Sequence, residues 1–282
     1  MVTIATSIPT LEAGARKARL AAFCSSHFGT NLPVTSLWFS LVIALSASAS
    51  EDIIVAVATN FLRTAETLRS EFQREDADPI RLVSGSTGKL YAQITQGAPF
   101  HLYLAADQAR PLQLEERGLV VRGSRQTYAI GKLALWFPKA SLGPNKSSIQ
   151  SVLHSEKFRK LAIANPRLAP YGAAAIETLK TLKLYDHVHP RLVFGENIGQ
   201  THALIATGNA EVGFVALSSV SSIKNRQMGI LLHVRPQLHR PIRQDSAILG
   251  RGEANPVAQR FNEFLHGPRG RAIIRQAGYR VD

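Results

Sequence analysis

The chain has 282 residues, 45% of them hydrophobic, and a formal net charge of +13. That length and hydrophobic share suit one or two globular domains with real cores. The positive charge alone would suit a nucleic-acid binder. However, no zinc-ligand spacing or aromatic RNA-binding motif accompanies it, and arginine is spread along the C-terminal third as on a solvated face.

The first fifty residues differ in kind from the rest. Arg16, Lys17 and Arg19 precede an apolar run from Leu37 to Leu45, and small residues follow at Ala47 and Ala49. Basic region, apolar region and small-residue site occur in the order of an export signal. The apolar run is too short to span a bilayer. Residues 1–50 are therefore expected to form a leader, cleaved near Ala49–Ser50 or Ser50–Glu51, that directs the remainder to the periplasm. Cys24, the only cysteine, falls inside this leader. The stretch "LAAFC" is not a lipid-attachment signal, because Phe23 stands where a small residue is needed.

Short strands and helices then alternate. Ile53 to Ala58 is a continuous apolar run, as a buried parallel strand should be. Phe61, Leu62, Ala65, Leu68 and Phe72 follow at helical spacing. Further strands are expected at Ile80–Val83, Phe100–Ala106, Lys132–Phe137, Leu161–Ala164, Arg191–Phe194, Val212–Ala216, Ile230–Val234 and Ser246–Gly250. Helices are expected at Lys89–Gln96, Pro111–Arg117, Gly172–Leu182, Gln200–Thr207, Pro256–Leu265 and Arg269–Gln276. This reads as a βα series with parallel sheets that runs twice, giving two lobes with a cleft between them.

The stretch "RLVSGSTGKLYAQI", Arg81 to Ile94, looks like a nucleotide-binding loop. Such a loop needs G-x-x-x-x-G-K-[ST], and here Val83 and Leu90 occupy two of the four fixed positions. What remains is a strand-to-helix turn, Gly85-Ser86-Thr87, where free N–H groups and the positive end of the helix dipole favour an anion. Ser86 or Thr87 could equally cap the helix, and Lys89 could face either the anion or solvent. Similar junctions occur at Thr59-Asn60, at Pro170-Tyr171-Gly172 and at Asn197-Ile198-Gly199. In open α/β sheets, ligands bind beyond the carboxyl ends of the strands. Closing two lobes would aim all four helix starts at one point.

The segments "AVATNF", "GSTGKLYAQITQGAPF", "LAADQARP", "ANPRLAPYGAAAIETL", "GENIGQT", "GFVALS" and "PIRQDSAIL" resemble the periplasmic molybdate-binding proteins of ABC importers. The resemblance runs from about residue 51 to the C-terminus. It implies an α/β, two-lobed periplasmic binding protein of type II, each lobe a mixed sheet flanked by helices, with the ligand in the interlobe cleft. Residues 51–130 and 243–282 would form one lobe and residues 131–242 the other. Oxyanion contacts are implied at Thr59, Asn60, Ser86, Tyr171 and the backbone N–H of Ile198, which would meet the metal only through the bound oxyanion. Some relatives carry a Tyr where this chain has Ala216, so a tyrosine contact would have to come from Tyr171. The implied ligand is molybdate, with tungstate beside it, and the implied partner is a membrane permease. No cofactor, no catalytic residue and no nucleic-acid partner are expected, and the protein should be a monomer.

Molybdate is a tetrahedral dianion, so its site needs hydrogen-bond donors rather than a formal cation. A donor-only site disfavours protonated phosphate, whose O–H would find no acceptor. Sulfate can be separated only by cavity size. One rival is an exported phosphotransferase or phosphatase-type enzyme. It would need Asp107 or another carboxylate beside Ser86, and H-E-x-x-H, G-x-S-x-G and a cysteine nucleophile are all missing from the exported part. His187 and His189 lack partners for a metal site. A binding protein for another oxyanion such as sulfate, or a cytosolic sensor joined to a DNA-binding domain, are the remaining readings; the leader shows no helix-turn-helix pattern.

Overall fold

A computed structural model describes residues 52–75, 78–138, 148–220 and 229–282. The expected leader, with its cleavage site, lies outside the described residues. In chain order the elements are β1 (Ile53–Ala58), α1 (Leu62–Phe72), β2 (Ile80–Gly85), α2 (Thr87–Thr95), β3 (Leu102–Leu104), α3 (Ala109–Glu116), β4 (Gln126–Gly131), β5 (Leu133–Pro138) and α4 (Ile149–Leu153). Then come β6 (Leu161–Ala164), α5 (Pro170–Thr181), α6 (Tyr185–Val188), β7 (Leu192–Gly195), α7 (Ile198–Ala206), β8 (Val212–Ala216) and α8 (Leu217–Val220). The last are β9 (Gly229–His233), β10 (Ile242–Ile248), α9 (Pro256–His266) and α10 (Pro268–Gln276).

The strands form two five-stranded sheets, ordered β2-β1-β3-β10-β4 and β7-β6-β8-β5-β9. Both are mixed, as the resemblance implies, and not parallel throughout as the βα pattern alone reads. β1 runs parallel to β2 and β3, while β10 is antiparallel to β3 and β4. In the second sheet β6 is parallel to β7 and β8, while β5 is antiparallel to β8 and β9. The reversed strands, β10 and β5, are the two that arrive from the other sheet. They enter without the crossover helix that keeps successive strands parallel.

Period-two alternation explains how each sheet holds its layers. On β1, Ile53, Val55 and Val57 pack on one face with Phe61, Leu68, Phe72 and Phe261, and Ala56 packs on the other with Leu90, Ile94 and Tyr103. On β5, Leu133, Leu135 and Phe137 join one core, and Ala134 and Trp136 join another. Both faces are covered, so the strands read as unbroken apolar runs. The helical spacing on α1 is kept, with Ala65, Leu68 and Phe72 buried. Phe72 meets Phe261 of α9 edge to face at 5.3 Å. Burying a side chain of this size contributes about 1.5–3 kcal/mol.

Candidate functional site

Strand register brings the helix starts together. Ala58 at the end of β1 is paired with Gly85 at the end of β2, so the two turns that follow leave the same sheet edge side by side. In the second sheet Ala164 of β6 is paired with Gly195 of β7 in the same way. The four turns meet in one small cavity between the sheets. Its walls are Thr59 and Asn60 from the first turn, Ser86 from the second, Tyr171 from the third and Ile198 from the fourth. All five sequence-predicted residues therefore share one pocket. Ala216 does not border it; that residue is fully buried in the core of the second lobe.

Each turn has its own local chemistry. Ser86 is the N-cap of α2, and its hydroxyl oxygen accepts the Lys89 N–H at 3.3 Å. A hydroxyl that accepts a bond keeps its own hydrogen to donate, so capping and ligand contact are compatible at Ser86. Asn197 caps α7 by accepting the Gln200 N–H at 2.9 Å, which leaves Ile198 as the first helical residue, with no partner for its N–H inside the helix. α5 starts differently: Ala169 offers no side-chain cap, and Pro170 stands in the first turn. A short 3-10 turn, Thr59–Phe61, follows β1 and also has no side-chain cap.

Two of the five side chains already donate elsewhere. The Thr59 hydroxyl donates to the Gly85 carbonyl at 2.9 Å. The Asn60 amide nitrogen donates to Gln244 Oε1 at 2.9 Å and to the Tyr279 hydroxyl at 3.2 Å. The Asn60 amide hydrogens are thus committed, and Thr59 can present its hydroxyl only after rotation. Tyr171 is buried, and burial pushes its phenol well above the usual value, with the nearby Gln244 and Asn60 amides opposing the shift. Tyr171 therefore stays a neutral O–H donor at neutral pH. Among the described residues, the pocket wall contains no carboxylate and no cationic side chain.

Gln244, Tyr279, Ser218 and Gly131 are site residues that sequence reasoning missed. Gln244 is buried on β10 and donates to the Tyr171 oxygen at 3.3 Å. Ser218 of the second lobe lies 2.9 Å from the Tyr279 hydroxyl of the first. Gly131 ends β4; a Cβ there would stand 2.1 Å from the Tyr171 hydroxyl, so only glycine lets this tyrosine lie where it does. No local pattern marks Gln244, which lies in the polar run Arg243-Gln244-Asp245-Ser246.

The lobes touch across the cleft in this structure. Lys89 of α2 pairs with Glu196 beside α7 at 3.0 Å, Gly88 N–H donates to the Leu168 carbonyl at 2.8 Å, and Arg110 donates to the Arg167 carbonyl at 2.7 Å. Lys89 thus faces neither the pocket nor open solvent alone; it faces the opposite lobe. Asp107 is held by Arg110 and does not border the Ser86 pocket. It borders a separate cavity of about 300 Å³ with Glu177 and Arg240. Its wall carries two carboxylates, Asp107 and Glu177, beside three arginines, Arg110, Arg240 and Arg243, so it is lined by charged groups where the Ser86 pocket is lined by neutral ones.

The sequence matches the profile of the family described as bacterial extracellular solute-binding protein over residues 53–280. The chain belongs to that family. This solute-binding protein is 42% identical over 238 residues to the molybdate-binding protein ModA of Azotobacter vinelandii, covering 84% of this chain and 93% of that protein. It is 40% identical to the ModA of Rhodobacter capsulatus, over 87% and 94% of the two chains. Its fold superposes on the structure of the Azotobacter vinelandii periplasmic molybdate-binding protein with a TM-score of 0.76 at 36% identity, covering 82% of this chain and all of that one. The two-lobed solute-binding fold of type II is thereby shown for this chain.

Proposed function

We propose that the protein binds molybdate, and tungstate with it, in the periplasm and delivers it to the membrane permease of an ABC importer. The observation that carries this reading is the pocket that gathers the neutral polar groups of Thr59, Asn60, Ser86, Tyr171 and Ile198, with no charged side chain among the described residues of its wall. Ser86 and Tyr171 would give hydroxyl hydrogens, and the residues at the starts of the helices would give N–H groups aligned with helix dipoles. Such donors are in place before the ion arrives and need little reorganisation. The names and 40–42% identities of the relatives support molybdate as the ion.

The free space in the pocket is about 10 Å³, close to that of a single water-sized sphere. No cofactor takes part, and the protein acts as a binding protein, not an enzyme. A phosphotransferase would need a carboxylate beside Ser86, whereas Asp107 is bound to Arg110 in another cavity. Export by the leader, a monomeric state and the absence of a nucleic-acid partner complete the proposal.

Isothermal titration with molybdate, tungstate, sulfate and phosphate tests it. Molybdate and tungstate should bind at one site with similar affinity, sulfate more weakly because it is smaller, and phosphate least because its O–H meets no acceptor. Preferential binding of phosphate, or turnover of a phosphate ester, would reverse the assignment.

A further inference from the structure

Tyr171 can serve an anion only if its hydrogen points into the pocket, and the polar groups behind it decide that. The order begins at Tyr279. Its hydroxyl donates to the Asn60 carbonyl at 2.6 Å, so its oxygen is left to accept, and the Asn60 amide nitrogen lies 3.2 Å away. That fixes which end of the Asn60 amide is the nitrogen. The same nitrogen donates to Gln244 at 2.9 Å, so the Gln244 atom facing Asn60 must be its oxygen. The other end of the Gln244 amide is then its nitrogen, which faces the Tyr171 oxygen at 3.3 Å. A donor on that side makes the Tyr171 oxygen an acceptor there.

The backbone supports this arrangement. β10 shifts register between Gln244 and Asp245 against β4. A bulge of this kind re-aims a side chain, and Gln244 is left fully buried between the lobes while Asp245 takes Arg125, Thr127 and Gln108. Gly131 leaves room for both groups, since a Cβ there would be 2.1 Å from the Tyr171 oxygen and 2.7 Å from Gln244 Nε2.

We propose that Gln244 is a positioning residue: its amide, oriented by Tyr279 through Asn60, turns the Tyr171 hydroxyl outward so that it donates to the bound oxyanion. Gln244 touches no ligand itself. Because it joins Asn60 of one lobe to Tyr171 of the other, it sets this donor only when the lobes are together. The proposal rests on the oxyanion reading of the pocket.

The test is a double-mutant cycle read by calorimetric titration with molybdate on wild type, Gln244→Leu, Tyr171→Phe and the double variant, with melting temperatures measured alongside. Each single variant should weaken binding about tenfold, the loss expected for one hydrogen bond to a charged group. The double variant should be little weaker than Tyr171→Phe alone, because Gln244 acts through that hydroxyl. Gln244→Glu supplies a second readout that does not depend on how well the leucine variant folds. A buried carboxyl has a raised pKa. While protonated it can donate to Tyr171 as the amide does; once ionised it takes the Tyr171 hydrogen and repels the dianion. Its affinity should therefore fall between about pH 6 and about pH 8, while the wild type changes little. Losses that multiply in the double variant, or a Gln244→Glu variant as insensitive to pH as the wild type, would overturn the proposal. Failure of the wild type itself to bind molybdate would overturn the oxyanion reading and this inference with it.

Discussion

Ser86 carries two jobs on one oxygen. It caps α2 through the Lys89 N–H and keeps a hydrogen for the pocket. Replacing it with alanine should lower stability by about 1 kcal/mol through loss of the cap. It should also weaken molybdate binding by about 1.5–3 kcal/mol, the value of a hydrogen bond to a charged group. Lys89→Ala should behave differently. Its ammonium meets Glu196 at 3.0 Å with both side chains about half exposed, so it contributes to closure rather than to the ion. A modest, salt-sensitive loss of affinity is expected, because exposed pairs are screened. Titrations at low and moderate salt check the order. A larger loss from Lys89→Ala than from Ser86→Ala would mean that the pocket works as a cationic site. Thr59→Val should cost less than Ser86→Ala, since the Thr59 hydroxyl is committed to Gly85.

At the scale of elements, the start of α7 decides how closely the lobes approach. A Cβ at Gly199 would lie 2.4 Å from the Thr59 methyl group on the opposite lobe. Gly199→Ala should hold the cleft ajar and weaken molybdate binding at least tenfold, with little change in the melting temperature of the ligand-free protein. Calorimetry and thermal melting together check this; unchanged affinity would show that the two turns do not need to meet.

The turns before α2 and α7 were legible because each joins a strand to a polar cap, whereas the turn after β1 and the start of α5 have no side-chain cap. β6 and β8 have the expected bounds, and β1 needed no more than its run of Ile, Val and Ala. α2 and α7 begin two residues earlier than periodicity suggested, at Thr87 and Ile198, because helix starts are set by the Ser86 and Asn197 caps rather than by apolar spacing. β4 was missed altogether, since Gln126 and Thr127 break its apolar pattern. β10 begins at Ile242 rather than Ser246, because Gln244 and Asp245 are polar yet fully buried. Their partners come from the turn after β1, from Gln108 before α3, from β4 and from α5, 73 to 184 residues away, and pairing at such range leaves no local trace. Gln244 was hidden for that reason.

At the scale of the molecule, the strands that cross between the sheets matter most. β4 passes into β5 through Lys132 alone, and the chain returns from β9 to β10. These crossings leave the lobes few covalent ties and let closure act as a hinge. The clasp of Lys89 with Glu196, Gly88 with Leu168 and Arg110 with Arg167 spans the mouth of the cleft, and Gln244 with Tyr171 spans its floor. Between mouth and floor lie the five donors. The central claim is that a tetrahedral oxyanion is held there by neutral groups. A crystal structure of the protein grown with molybdate, with an anomalous map recorded at the molybdenum absorption edge, tests it most directly. One strong peak is expected within hydrogen-bonding reach, through its oxygens, of Ser86, Tyr171 and the N–H of Ile198. A peak in the Asp107 and Arg240 cavity or beside Lys89, with the donor pocket empty, would contradict it.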